Sequence, residues 1–289
     1  MQIELKNEKG SFCIGGGSHP VARLDAIEGI GVVAKVPETV IFEGQPGRTT
    51  IDIRDAERTI TLSFDFYSDE YEVKRLYNII SHPVQLCFFL RNSRRKITGR
   101  LMNATDASGI IYHCWYRIVL QFVCDDPYFH DLYDTESGIS AIINNLPNAN
   151  ENGESYIQLP AVATERINSG VVINKGDTKV YPVIELYNHK TEEDSPEVYG
   201  LTIANQTTGA VIELEYSMAP AEKITIDLIK RKITSSLAGN ITNCISDNTF
   251  LASFFLTEGE NKVSFETLNS NDNIVVKMYH NNNYIGVVI

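Results

Sequence analysis

The chain has 289 residues, 43% hydrophobic and 21% charged, with a formal net charge of −12. That length allows two domains, each with its own core, and the acidic balance argues against a nucleic-acid binder. No apolar run reaches the length that spans a bilayer, which excludes membrane insertion by helices.

The start, Met1-Gln2-Ile3-Glu4-Leu5-Lys6, alternates apolar and polar residues and lacks the basic-then-apolar order of a signal peptide. The expectation is a protein made and assembled in cytoplasm. Gly15-Gly16-Gly17 invites a phosphate-loop reading, but no Gly-Lys-Ser/Thr ending or helical pattern follows, so it reads as a flexible loop. Arg58–Phe66 alternates strictly, with Ile60, Leu62, Phe64 and Phe66 on one face of a strand. A helix is expected over 69–80. Ser68 is its N-cap, acidic residues fill the first turn, and Val73, Leu76, Tyr77 and Ile80 form one apolar stripe. His82-Pro83 ends it. Strands follow at Val84–Leu90 and Ile97–Met102, joined by the basic hairpin tip Arg91–Lys96, which carries no interleaved aromatics and reads as a solvated turn. Trp115–Val123 reads as a buried strand, and Cys124-Asp125-Asp126-Pro127-Tyr128-Phe129-His130-Asp131 as a sharp stop after it.

The turn-rich stretch 142–153 places a domain change between 125 and 153, dividing the chain into 1–133 and 134–289. The first part carries 15 basic and 17 acidic residues, the second 10 and 20. A nearly neutral domain packs against its own copies with little repulsion; a strongly acidic one favours solvent. Past the division, strands are expected at Tyr156–Val162, Gly170–Asn174, Pro182–Tyr187, Gly200–Ala204, Ala210–Tyr216, Lys223–Leu228, Lys230–Thr234, Leu251–Phe255, Asn261–Thr267, Ile274–Tyr279 and Tyr284–Ile289. The fold class is therefore mainly β: a first sandwich-like domain with one helix and a hairpin, then a jelly-roll sandwich.

Reactive constellations are scarce. The five cysteines, Cys13, Cys87, Cys114, Cys124 and Cys244, form no CxxC pair and read as buried free thiols. His19, His82, His113, His130, His189 and His280 stand singly, without ligand spacing. The acidic segment 125–131 lacks the order of a calcium loop, and no Gly-x-Ser-x-Gly elbow occurs. The acidic run Glu192–Glu197 reads as an exposed loop. No catalytic, cofactor or metal residue is singled out, no cofactor is expected, and ligand-binding residues are unknown.

Four segments, in order, resemble the distal tail proteins of long-tailed phages infecting Gram-positive bacteria. The first is the strand–helix–strand–strand series of 58–123 closing on Asp126-Pro127-Tyr128-Phe129. The second is Asn174-Lys175-Gly176-Asp177 leading to Pro182 and Ile184. The third is Glu222–Asp227, and the last is Leu256-Thr257-Glu258-Gly259-Glu260-Asn261 leading to Phe265. The resemblance implies a non-enzymatic virion tail protein, of a phage, a prophage or a tail-like bacteriocin. Its first domain would form a hexameric ring between the tail-tube protein and a tail-tip or tail-associated lysin protein. Its second, galectin-like domain would offer a platform for receptor-binding proteins. DNA would pass through the lumen without specific binding. In this picture the hairpin at Arg91–Lys96 reaches a neighbouring copy. The alternative is a carbohydrate-binding protein recognising host cell-wall sugar; it is weakened because the single Trp, Trp115, lies in the first half.

Overall fold

The computed structural model describes residues 1–16, 22–44, 46–67, 70–111, 115–144, 164–189, 197–269 and 274–287. Two compact units emerge: Met1–Tyr133 together with Asn283–Ile289, and Asp134–Asn282. The chain thus leaves the first unit after Tyr133 and returns to it at Asn283, whereas a single cut would leave these last residues with the second.

The first unit contains β1 (Gln2–Asn7), β2 (Gly10–Gly15), β3 (Ala22–Glu28), β4 (Lys35–Val40), β5 (Thr49–Asp55), β6 (Arg58–Tyr67), α1 (Glu70–Ile80), β7 (Val84–Phe89), β8 (Arg94–Ile111), β9 (Trp115–Cys124) and β10 (Phe129–Asp131). Antiparallel pairing gives the order β2-β1-β7-β8-β9-β6-β3. Alternation drives these strands: Ile3 and Leu5 in β1, Phe12 and Ile14 in β2, and Ile60, Leu62 and Phe64 in β6 all point into one core. Strand β8 does two jobs. Its residues to Gly99 pair with β7, and from Arg100 onward it pairs with β9, with a register shift between Leu101 and Asn103. Such a bulge lets one long strand bend between two packed layers.

Helix α1 lies against β1 and β2. Leu76, Ile79 and Ile80 are its buried side, while Tyr77 is 42% exposed. The expected stripe is therefore shifted slightly around the helix: Ile79 takes the buried place expected for Tyr77. A phenol at the rim keeps its hydroxyl in water, whereas Ile has nothing to lose by burial. Ser68 and Asp69, the expected cap, lie outside the described residues.

The second unit contains β11 (Thr135–Asn144), β12 (Thr164–Ile167), β13 (Ser169–Asn174), β14 (Val183–Asn188), β15 (Leu201–Asn205), β16 (Ala210–Leu214), β17 (Lys223–Asp227), β18 (Lys232–Ser235), β19 (Gly239–Asn240), β20 (Gly259–Glu266) and β21 (Ile274–His280). They form a seven-stranded sheet, β12-β11-β21-β14-β17-β18-β19, and a four-stranded sheet, β13-β20-β15-β16. Ile184, Leu186, Ile224, Ile226, Val276 and Met278 from one sheet and Val172, Ile203, Ile212, Val263 and Phe265 from the other share one core. This is a sandwich, as alternating strands require when one face of each sheet is apolar.

Three expectations differ from the structure here. Leu251–Phe255 is no strand: Leu251–Ser253 is a 3-10 turn that tucks Leu251 and Phe254 into the core. Its short apolar run fits a buried turn as well as a strand, and periodicity does not separate them. The stretch from 142 begins inside β11 rather than in a turn. Among the described residues of Tyr284–Ile289, only Tyr284 lies in a strand, β22 (Asn283–Tyr284), which pairs with β10 of the first unit. Tyr156–Val162 lies outside the described residues. Among the cysteines, Cys87 and Cys124 are buried, Cys244 is half-buried and Cys13 is exposed; Cys114 is outside the described residues. Burial pushes the Cys124 thiol up to about 12 against the opposing field of Arg58, so it is an inert core group.

Candidate self-association surface

The hairpin tip at Arg91–Lys96 is partly engaged within the first unit. Its turn is tight, with the Leu90 N–H donating to the Ser93 carbonyl at 2.9 Å. Arg95 bends back to Asp131 at 2.7 Å and lies 3.5 Å over the Tyr284 ring, and Lys96 donates to the Leu132 carbonyl at 3.0 Å. Two of its four cations, Arg95 and Lys96, are thus engaged within the first unit, while Arg91 and Arg94 are exposed.

A second element stands apart from the main sheet. Strands β4 and β5 pair only with each other, as a separate two-stranded sheet. Val36, Ile51 and Ile53 are 42–63% exposed, and Ile41 and Phe42 beside the ribbon are 67% and 51% exposed. Isolated two-stranded ribbons are marginal in water, and aliphatic side chains clustered on one mark a contact surface. The sequence carried a signal for β5, since Ile51 and Ile53 alternate with Thr50, Asp52 and Arg54. The signal is weak because β4 opposite it is polar and broken by Pro37.

The ribbon is held at its root. The Ala56 N–H donates to the Ala34 carbonyl at 2.8 Å, extending the ladder by one bond. Asp55 pairs with Lys35 across the two strands, and the Tyr128 hydroxyl donates to the other Asp55 oxygen. The Lys35 bond, then the Tyr128 bond, holds the Asp55 carboxyl below its usual range. Burial and then the Asp55 carboxylate push the Tyr128 phenol up to about 12.

Three residues on, Arg58 is 5% exposed. Its guanidinium donates to Pro127 O at 2.6 Å, Gly29 O at 2.6 Å, Gly31 O at 2.8 Å and Ile285 O at 2.6 Å. It also lies 4.6 Å from the Phe129 ring centroid. Gly29 has φ +83°, and a Cβ there would meet the Thr59 carbonyl oxygen at 1.9 Å, so only glycine fits this corner. Each residue of the Asp-Pro-Tyr-Phe segment is thereby accounted for. Asp126 accepts from the Tyr128 N–H and pairs with His130, both at 3.0 Å. Pro127 offers its carbonyl, Tyr128 latches Asp55, and fully buried Phe129 meets Phe88 edge-on at 5.5 Å. The segment read as a stop is the mount of the ribbon.

The other three resembling segments are turn clamps. Buried Asn174 donates to Thr178 O at 2.8 Å and accepts from the Gly176 N–H at 2.9 Å. Buried Asn261 accepts from the Thr257 N–H at 2.9 Å and donates to Thr257 O at 2.8 Å, beside Gly259 at φ +84°. Asp227 accepts from the Lys230 N–H at 2.9 Å. Glu222, fully buried, is held by Tyr216, Ala219 and Ser235. Among the described residues no group of three His, Cys, Asp or Glu side chains is placed to hold a metal ion. The chemistry this surface offers is apolar burial and backbone pairing.

Residues 175–284 match the family model of the siphovirus-type tail component, C-terminal domain. The fold is that of the SPP1 Dit protein, described as a paradigm of the hub adsorption apparatus in phages infecting Gram-positive bacteria. The two superpose with a TM-score of 0.62 at 12% identity, over 91% of this chain and 93% of that one. A chain of the phage P2 baseplate in its activated conformation with calcium aligns over 96% of this chain and 97% of its own, at 11% identity and a TM-score of 0.49. No curated protein matches the chain.

Proposed function

We propose that the chain is a siphovirus-type tail component: residues 175–284 match that family's C-terminal domain, and the fold is that of the Dit protein. Its part in the tail hub is structural. We propose that the first unit closes a hexameric ring by laying its β4–β5 ribbon on the neighbouring copy. One face of the ring would meet the tail-tube protein and the other a tail-tip or tail-associated lysin protein. The second unit would carry receptor-binding proteins, and the assembly would reside in the virion tail. The observation that carries this is the firmly rooted ribbon with an exposed aliphatic body.

The physics agrees with that use. One heterologous contact repeated under rotation closes a ring when its angle is right. Each ribbon aliphatic brought from partial exposure into a contact gains about 1–2 kcal/mol, and a stable contact of this kind buries on the order of 2,000 Å² or more. Covering the ribbon also removes a free strand edge that otherwise recruits other chains.

The test is the mass of the particle by light scattering, alone and with the tail-tube protein. The wild-type chain is expected to form hexamers that appear as rings in electron micrographs. The double substitution Ile51→Asp, Ile53→Asp is expected to leave a folded monomer in both conditions. A double variant that still forms rings, or a wild-type chain that stays monomeric even with the tube protein, rejects the ribbon as the closing element.

A further inference from the structure

The second unit holds a cleft of about 450 Å³ over paired β15 and β16, with Leu201 and Leu214 as its floor. This volume lies in the range of small-molecule sites. One wall is built from two segments tied together. The Leu268 N–H donates to Tyr199 O at 3.1 Å, the Tyr199 N–H donates to Asn269 Oδ1 at 3.1 Å, and Asn269 Nδ2 donates to Glu197 O at 2.7 Å. Leu268 lies directly over Gly200, where a Cβ would come within 2.3 Å of the Leu268 Cγ. The opposite wall orients a carboxylate: the Ser246 N–H donates to Glu213 O and its hydroxyl to Glu213 Oε2, both at 3.0 Å.

The lining divides by chemistry. Tyr199, 49% exposed, and Leu268, 79% exposed, offer an apolar surface to solvent. Glu213 and Glu215 offer carboxylate oxygens, which accept hydrogen bonds from hydroxyl groups. Neither Lys nor Arg is among the lining residues. An anion placed here would meet two carboxylates with no cation to offset them among the described lining residues. A ligand with an apolar C–H face and several O–H donors suits both halves.

We propose that this cleft is a site for a neutral saccharide, a hexose or N-acetylhexosamine unit. Its C–H face rests on Tyr199 and Leu268 and its hydroxyls donate to Glu213 and Glu215. The site is complete within one chain, so it stands or falls independently of ring formation.

Saturation-transfer NMR on the full chain tests it, with glucose, galactose, N-acetylglucosamine and N-acetylgalactosamine as probes and glycerol phosphate as the anionic control. At least one neutral sugar should receive saturation at its ring C–H protons, and glycerol phosphate none. Tyr199→Ala and Glu213→Gln should each weaken the signal at least tenfold; Leu268→Ala, at an exposed position, serves if either variant fails to fold. No saturation of any neutral sugar overturns the proposal, as does binding that persists in the folded variants or is matched by glycerol phosphate.

Discussion

Arg58 ties three distant stretches of chain to one guanidinium: the corner after β3, the loop before β10 and the segment after β22. Arg58→Met removes every donor and leaves carbonyl oxygens buried without partners, which costs about 3 kcal/mol or more. Arg58→Lys should recover little, because a point ammonium lacks the planar fork. Trp115, the one Trp in the chain, sits on β9 of the first unit, so urea unfolding followed by its fluorescence reads this loss. At the ribbon root the sign of pH dependence follows from the two shifted groups. Asp55 is held low, so its contribution is complete at neutral pH and is lost as pH falls through its lowered value. Tyr128 is raised, so its contribution is complete below the ordinary tyrosine range and is lost as pH rises through about 12. Ultraviolet titration, with Tyr128→Phe as the blank, should find this phenol at about 12, and Asp55→Asn should bring it back down. At this scale the sequence displayed the right residues without their purpose. Asp126-Pro127-Tyr128-Phe129 stood out as a break, yet its partners lie 69 and 73 residues away in the chain, a distance no local pattern spans.

Among the elements, those that bury one face were legible and those that bury little were not. Ile60, Leu62 and Phe64 announced β6 because the core faces one side of it. The ribbon strands have no such side within their own unit, so their pattern is diluted by Pro37, Glu38 and Thr39. Leu251–Ser253 failed for the opposite reason: it is apolar because it is buried, not because it is extended. The same logic yields a dynamic expectation. The ribbon's ladder shelters behind no third strand, so its amides should exchange much faster than those of β6 and β9 in an isolated protomer. In assembled particles they should become protected, and hydrogen–deuterium exchange read by mass spectrometry separates the two. In the second unit, the outer face of the larger sheet carries Glu136–Lys277 and Lys223–Glu185 pairs at 2.7 Å, cross-strand contacts that keep this face polar and soluble.

For the molecule as a whole, the return of Asn283–Ile289 to the first unit is the feature that composition and charge did not reveal. Val287 is 6% exposed in the first unit's core, and its N–H donates to Ile30 O at 3.0 Å. Gly286 lies so close to that corner that a Cβ would meet both the Ile30 and Gly31 oxygens at 3.2 Å. A chain ending at Asn282 is therefore expected to keep the second unit folded while the first loses several kcal/mol of stability. Urea unfolding by Trp115 fluorescence checks this, since it reads the first unit alone. The charge division near residue 133 marks where the two surfaces differ, but a seven-residue return carries too little charge to move that balance.

The timing of synthesis follows from that return. A ribosome finishes residues 283–287 only after the entire second unit has been made, so the corner around Arg58 stays open on every nascent chain. The root of the ribbon lies three residues from Arg58, so a partial product lacking residues 283–287 should hold the ribbon less firmly.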